Sequence, residues 1–332
     1  MLKILSLFST VFIGPPPPSA GEAERAVGYA EIPFNDPHFE IERTLSVWYG
    51  VEDGEKGVAS PIPWDVFQVS SAAPEEGEKQ PIVILSHGNG GNPHQLSWLT
   101  KELIRNGFLV IGVKHLDWID GKPHINHWMR ARDVGVMIDQ LAKSRFAANA
   151  DLERVGIAGF SLGGTAAVWV AGGQSTRLDR LVPGAESVAH PDEFVRVQEA
   201  AATLDKEMMA HDWKDPRIKA AFLLAPAWGW VFDQEGLAKI NVPVSIVAPE
   251  NDGLLITAGN AGVFAKGIPN ASYRQIPGEA RHCIFLSKPN EERLGEIPAS
   301  VLPLLNDGPS VDRTGVQNEV AAEAVDFFKL HV

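Results

Sequence analysis

Apolar and polar positions follow two periods along this chain, and the switches between them mark the elements. Val27–Phe34 ("VGYAEIPF") and Arg43–Val51 ("RTLSVWYGV") carry β-branched and aromatic residues between turn formers, which predicts two strands. A polar connection rich in Pro and Glu covers 70–81. "PIVILS" (Pro81–Ser86) is then a continuous apolar run, the pattern of a strand covered on both faces. The same pattern recurs over Gly107–His115, Leu152–Phe160, Arg217–Ala227 and Val242–Glu250, and "ASYRQIPG" (Ala271–Gly278) predicts a last strand. Helical spacing fills the gaps at 94–105, 129–144, 162–171, 257–266 and 316–330. In the second of these, Val134, Met137, Ile138 and Leu141 share one face.

Buried strands alternating with helices predict an α/β protein, a mostly parallel sheet with helices on both faces. The alternation lapses between Gly172 and Pro216. There, residues 174–214 are polar, charged and partly helical, which predicts an insertion over one end of the sheet. It is either a lid or a peripheral helical pair. A length of 332 residues suits one large domain over 24–332 carrying that insertion. The net charge of −13 and the lack of any Lys/Arg run argue against a nucleic-acid partner. Cys283 is the only cysteine, so an intrachain disulfide is excluded. Residues 1–23 combine Lys3, a short apolar run (Ile4–Ile13), four prolines and then small residues. This resembles a secretory signal peptide and predicts export to the periplasm or beyond. The run is too short to anchor the mature chain across a bilayer, and no other segment is long and apolar enough to do so.

The chemistry concentrates at Gly159-Phe160-Ser161-Leu162-Gly163. This G-x-S-x-G sits between a predicted strand and a predicted helix, the context in which the motif holds a nucleophilic serine on a sharp turn. A serine needs a base, and His282, in a loop after the last strand, is the one of ten histidines with the expected chain order. The base needs a carboxylate to orient it. Asp252, in the Asn-Asp-Gly turn past a strand end, is best placed; Glu250 and Asp233 are the alternatives. The order Ser161, Asp252, His282 is that of α/β hydrolases. For the oxyanion, the N–H groups of Leu162 and of Asn89, in "SHGNGG", are the expected donors. That glycine loop lacks the Gly-Lys-Ser/Thr of a phosphate cradle. Five tryptophans, Trp98, Trp118, Trp128, Trp228 and Trp230, lie in or near loops, and Trp228 and Trp230 are the better candidates for a substrate pocket.

These residues resemble the α/β-hydrolase superfamily. The stretches "AVGYAEIPFNDP", "LSVWYG", "PIVILSHGNGG", "NGFLVIGVKH", "GFSLGG", "ARHCIFL" and "VDRTGVQNEVAAEAVDFF" are more narrowly similar to bacterial predicted dienelactone hydrolases and plasma-type platelet-activating-factor acetylhydrolases. Two departures matter. Dienelactone hydrolases use a cysteine where this chain has Ser161. The acetylhydrolases take their acid after an earlier strand, where "LLAPAWGWVFD" offers no carboxylate before Asp233. The resemblance implies an α/β-hydrolase fold and a serine esterase. Its substrate would be a small-molecule carboxylic ester, short-acyl or lipid-like, cleaved through an acyl-enzyme without metal or cofactor. An amide or peptide hydrolase using the same triad, or a non-catalytic binding protein of this fold, are the rival expectations.

Overall fold

The computed structural model describes residues 26–51, 62–64, 73–74, 77–119, 122–123, 126–180, 204–297, 299 and 301–332, without the side chains of 118, 119, 122, 123 and 178. The expected leader (1–23) and the middle of the expected insertion (181–203) lie outside these residues.

Among the described residues, ten strands run β1 (Ala26–Asn35), β2 (Glu42–Val51), β3 (Gln80–Ser86), β4 (Leu109–Val113), β5 (Trp118–Ile119), β6 (Lys122–Pro123), β7 (Ala150–Phe160), β8 (Ile218–Leu224), β9 (Val244–Pro249) and β10 (Ser272–Ile276). Among the described residues, eight form one sheet in the order β1-β2-β4-β3-β7-β8-β9-β10, and β5 and β6 form a separate two-residue ladder. The pairs β1·β2 and β2·β4 are antiparallel, and every later pair of the large sheet is parallel.

The described residues also form helices α1 (Ser97–Arg105), α2 (Met129–Lys143), α3 (Leu162–Val170), α4 (Lys206–Ala210), α5 (Gln234–Leu237), α6 (Ala261–Gly267) and α7 (Arg313–His331). The strand period of two divides the core. Ile82, Ile84, Leu109, Ile111 and Ile157 point into the cluster that holds Val134, Met137 and Leu141 of α2 and Trp169 of α3. Val83, Leu85, Val110, Ala158 and Phe222 point into the opposite one, with Leu99 and Leu103 of α1 and Phe328 of α7.

Element ends differ from expectation where a side chain intervenes. The helix expected from 94 is a 3-10 turn over Pro93–Leu96 before α1, because Asn92 caps it and accepts from the His94 N–H. Helix α7 begins three residues early, at Arg313, where the Asp312 carboxylate takes the Gly315 N–H. β4 stops at Val113, and the His115 N–H goes to the His87 imidazole instead of continuing the ladder. Residues 174–177 pair with the loop after β8, through Gln174 N–H to Gly236 O and the Thr176 and Arg177 N–H groups to Val231 O. Trp213, on the far side of the insertion, stacks on Trp128.

The register decides where chemistry can occur. Ser86 pairs with Gly159, Phe160 with Leu224, and Leu224 with Val247. The carboxyl ends of β3, β7, β8 and β9 are therefore level, and the loops beyond them meet at one rim, where sheets of this kind bind ligands.

Candidate active site

Ser161 occupies the single step between β7 and α3, at φ 55° and ψ −117°. For a serine this backbone costs about 1–3 kcal/mol, so its surroundings must impose it. They do so from both sides. The Ser161 N–H donates to Leu224 O at 2.9 Å, and Ser161 O accepts from Gly164 at 2.9 Å and from Ala227 at 3.1 Å. The flanking glycines follow from packing. A Cβ on Gly159 would overlap the Gly163 carbonyl, and one on Gly163 would overlap the Ser86 carbonyl. The sharp turn is possible only with neither present.

Asp252 and His282 arrive on separate loops, after β9 and β10. His282 Nδ1 lies 2.7 Å from Asp252 Oδ2. An ionised carboxylate only accepts, so Nδ1 holds the proton and Nε2 is the free base. The other carboxylate oxygen accepts from Leu254 (3.1 Å) and Leu255 (2.7 Å), and the His282 N–H returns to Asp252 O at 2.7 Å. His282 packs on Phe160, the residue before Ser161, with ring centroids 4.9 Å apart. Both triad alternatives lie elsewhere. Glu250 is exposed, and Asp233 caps α5 through the Gly236 N–H.

The turn bearing His282 is held by α7. Arg313 donates to the carbonyls of Cys283 (2.6 Å), Leu286 and Leu305 and to Asp307, and Gln317 donates to those of Ile284 and Leu286. Trp98 adds a bond to Phe285 O. Cys283, next to His282, is buried, and burial pushes its thiol up to about 12.

Across from the elbow, a Cβ on Gly88 would stand 3.5 Å from the Ser161 Cβ. Asn89 is exposed at the rim. Its N–H has no acceptor among the described residues. Leu162 is the first helical residue, where the N–H has no intrahelical acceptor. The loop after β8 carries two further strained residues, Ala225 (φ 41°) and Trp228 (φ 60°). Trp228 lies between His127 (centroids 5.0 Å) and Trp230 (5.9 Å). Both tryptophans are buried, and Trp230 Nε1 has no hydrogen-bond partner among the described residues. The Trp118 side chain lies outside the described residues.

A buried polar network beneath the rim was not anticipated from the sequence. Ser86 Oγ meets His115 Nε2 at 2.9 Å, and His115 Nδ1 meets Asp133 Oδ2 at 2.8 Å. Arg43 grips both Asp133 oxygens (2.7 and 2.9 Å) and Asp36. Burial raises the Asp133 carboxyl, but the hydrogen bonds from Arg43 and His115 outweigh it and hold it well below the usual range. Arg130 binds Asp117 and the carbonyls of His87 and Gly88. The available signal was position. Arg130 stands on the apolar stripe of α2, four residues before Val134 and seven before Met137, where a charge must find a buried partner. Among the described residues no cluster of His, Cys, Asp and Glu is arranged to hold a metal ion, and no helix is long and apolar enough to cross a membrane.

The sequence matches no protein-family model and no curated protein. Among solved structures the chain is similar to a ferulic acid esterase from Streptomyces cinnamoneus. The TM-score is 0.60 at 19% identity, over 94% of this chain and 91% of that one. Together with the mostly parallel eight-stranded sheet flanked by helices, this shows an α/β-hydrolase fold.

Proposed function

We propose that the protein is a serine hydrolase of carboxylic esters. The observation that carries this is the 2.7 Å contact between Asp252 and His282, with the His282 ring packed on Phe160, the residue before the strained Ser161. In this reading Ser161 attacks the ester carbonyl as His282 takes its proton, and Asp252 stabilises the resulting imidazolium. The N–H groups of Leu162 and Asn89 receive the oxyanion. His282 then protonates the leaving alcohol, and water, activated by the same imidazole, releases the acid.

The esterase named for the solved neighbour supports ester substrates. Trp228 and Trp230 are proposed to line the acyl pocket. They follow β8 beside the elbow, and the unpaired Trp230 indole N–H offers a donor to a substrate oxygen. The leader-like residues 1–23 support an exported enzyme, which fractionation of expressing cells tests.

The test of the activity is hydrolysis of p-nitrophenyl acetate, butyrate and octanoate and of methyl ferulate, with rapid-quench mass spectrometry. Turnover with an acyl adduct on Ser161 is expected, and the chain-length profile sizes the pocket. Turnover with the adduct on another residue overturns the assignment.

A further inference from the structure

The oxyanion role given to Asn89 raises a question of aim. A backbone N–H on an exposed glycine-rich loop is useful only if its direction is fixed before the substrate arrives. We propose that Arg130 and Asp117 are positioning residues that fix it, an inference that rests on the ester-hydrolase reading above.

The argument begins with peptide planarity. In the trans Gly88–Asn89 peptide the C=O and N–H point in opposite directions, so fixing the oxygen fixes the hydrogen. Three donors hold the Gly88 oxygen: Arg130 Nη2 at 3.0 Å, His87 Nδ1 at 2.6 Å and the Gly91 N–H at 3.2 Å. His87 is a donor there because its Nε2 accepts from the His115 N–H at 2.9 Å. Both neighbouring peptides are held by the same pair. Arg130 Nη1 takes the His87 oxygen at 2.5 Å, and Asp117 Oδ2 takes the Gly90 N–H at 2.8 Å. Arg130 and Asp117 bind each other through three contacts of 2.6–3.0 Å. Three consecutive peptide units, on both sides of Asn89, are thereby tied to one ion pair.

Stability alone does not account for that pair. Both side chains are buried, and a buried ion pair is often no more stabilising than apolar residues of the same volume. A cation on the Gly88 oxygen has a second effect. It draws electron density from the amide, and the Asn89 N–H becomes a stronger donor at the moment negative charge develops on the substrate. The Ser86–His115–Asp133 set does not substitute for it. That set meets the loop at His87, through the His115 N–H and ring, and makes no bond to the Gly88 oxygen.

The experiment compares wild type with Arg130→Lys, Asp117→Asn and the charge-free double variant Arg130→Met/Asp117→Leu, each checked for cooperative unfolding. A lysine keeps the charge but cannot span two carbonyls and a carboxylate. Each is assayed on one ester and on its thiono analogue, whose sulfur is a poor hydrogen-bond acceptor. A fall in kcat of about ten- to a hundredfold on the oxygen ester is expected, with KM changed less than about threefold. The thiono rate falls less, so the oxygen-to-sulfur rate ratio narrows. Folded variants that keep both kcat and this ratio overturn the proposal, as does a loss shared equally by both esters. Hydrogen exchange at Gly90 is measured in the same proteins, and faster exchange in Arg130→Lys is expected. If the wild type shows no Ser161-dependent ester turnover, the hydrolase reading fails by itself. Unchanged Gly90 protection in Arg130→Lys then separately overturns the positioning role.

Discussion

Two Ser–His–Asp sets begin at the ends of the adjoining strands β3 and β7, and they differ in what surrounds them. Ser86, His115 and Asp133 make both contacts of a catalytic triad, 2.9 and 2.8 Å. Ser161, His282 and Asp252 are joined at the imidazole–carboxylate contact, 2.7 Å. The differences lie around the sets. Ser86 has 0% of its surface exposed and sits in strand register opposite Gly159, whereas Ser161 has 8% exposed and a left-handed backbone that projects it from the sheet. Asp133 is neutralised by Arg43, while Asp252 is held by two backbone N–H groups and its imidazole partner. Burial and the nearby Arg130 charge press the His115 imidazole toward its neutral form, against the pull of Asp133. Distances between three side chains therefore do not define a hydrolase site. An accessible oxygen and unspent N–H donors beside it do.

The sharpest way to break this contrast is to delete each hydroxyl. Ser161→Ala should lower kcat by about a millionfold, as when a triad serine is removed, with little change in stability. Ser86→Ala should retain most activity and lose about 1–3 kcal/mol of unfolding free energy, because His115 Nε2 loses its partner in a dry site. Esterase kinetics and urea unfolding on both proteins check this, and equal kinetic losses would erase the distinction. The carboxylates extend the comparison at smaller amplitude. Asp252→Asn should cost about 10⁴-fold in kcat through loss of the imidazole tautomer. Asp133→Asn should cost about 3 kcal/mol of stability by leaving Arg43 under-neutralised, with kcat measured below the melting range largely kept.

The third comparison is a slope in pH. The imidazoles of His87, His94 and His115 are held below the ordinary value of free histidine, chiefly by burial, His94 at about 4. Their folded values are lowered, so below about pH 6.5 the unfolded chain binds protons that the folded one refuses. Stability should fall as pH drops from there, by about 1.4 kcal/mol per pH unit for each histidine. Asp117 and Asp133 are also depressed and add a further loss below about pH 4, the unfolded carboxylate range. A urea midpoint that stays level from pH 7 to 4 would show that these histidines are not held neutral.

Much of this was legible in the residues. The β–α alternation and the glycine-flanked serine are local patterns, and each depends on neighbours in sequence. The Arg130–Asp117 and Arg43–Asp133 pairs depend on neighbours in space. Arg43 and Asp133 are 90 residues apart, and a lone charge in a sequence looks like a solvated one. The strain at Trp228 was equally hidden, because a tryptophan gives no hint of a left-handed backbone. Helical spacing over 316–330 marks α7, yet nothing in that spacing shows that its first turns latch the His282 loop through Arg313 and Gln317.

That latch gives the chain a built-in clock. Its one thiol, Cys283, follows His282 directly and is sealed beneath the turn that Arg313 closes. A reagent for free thiols can mark only molecules in which the turn has come undone. Its rate of uptake counts the openings of the His282 loop, one at a time, in a protein otherwise at rest.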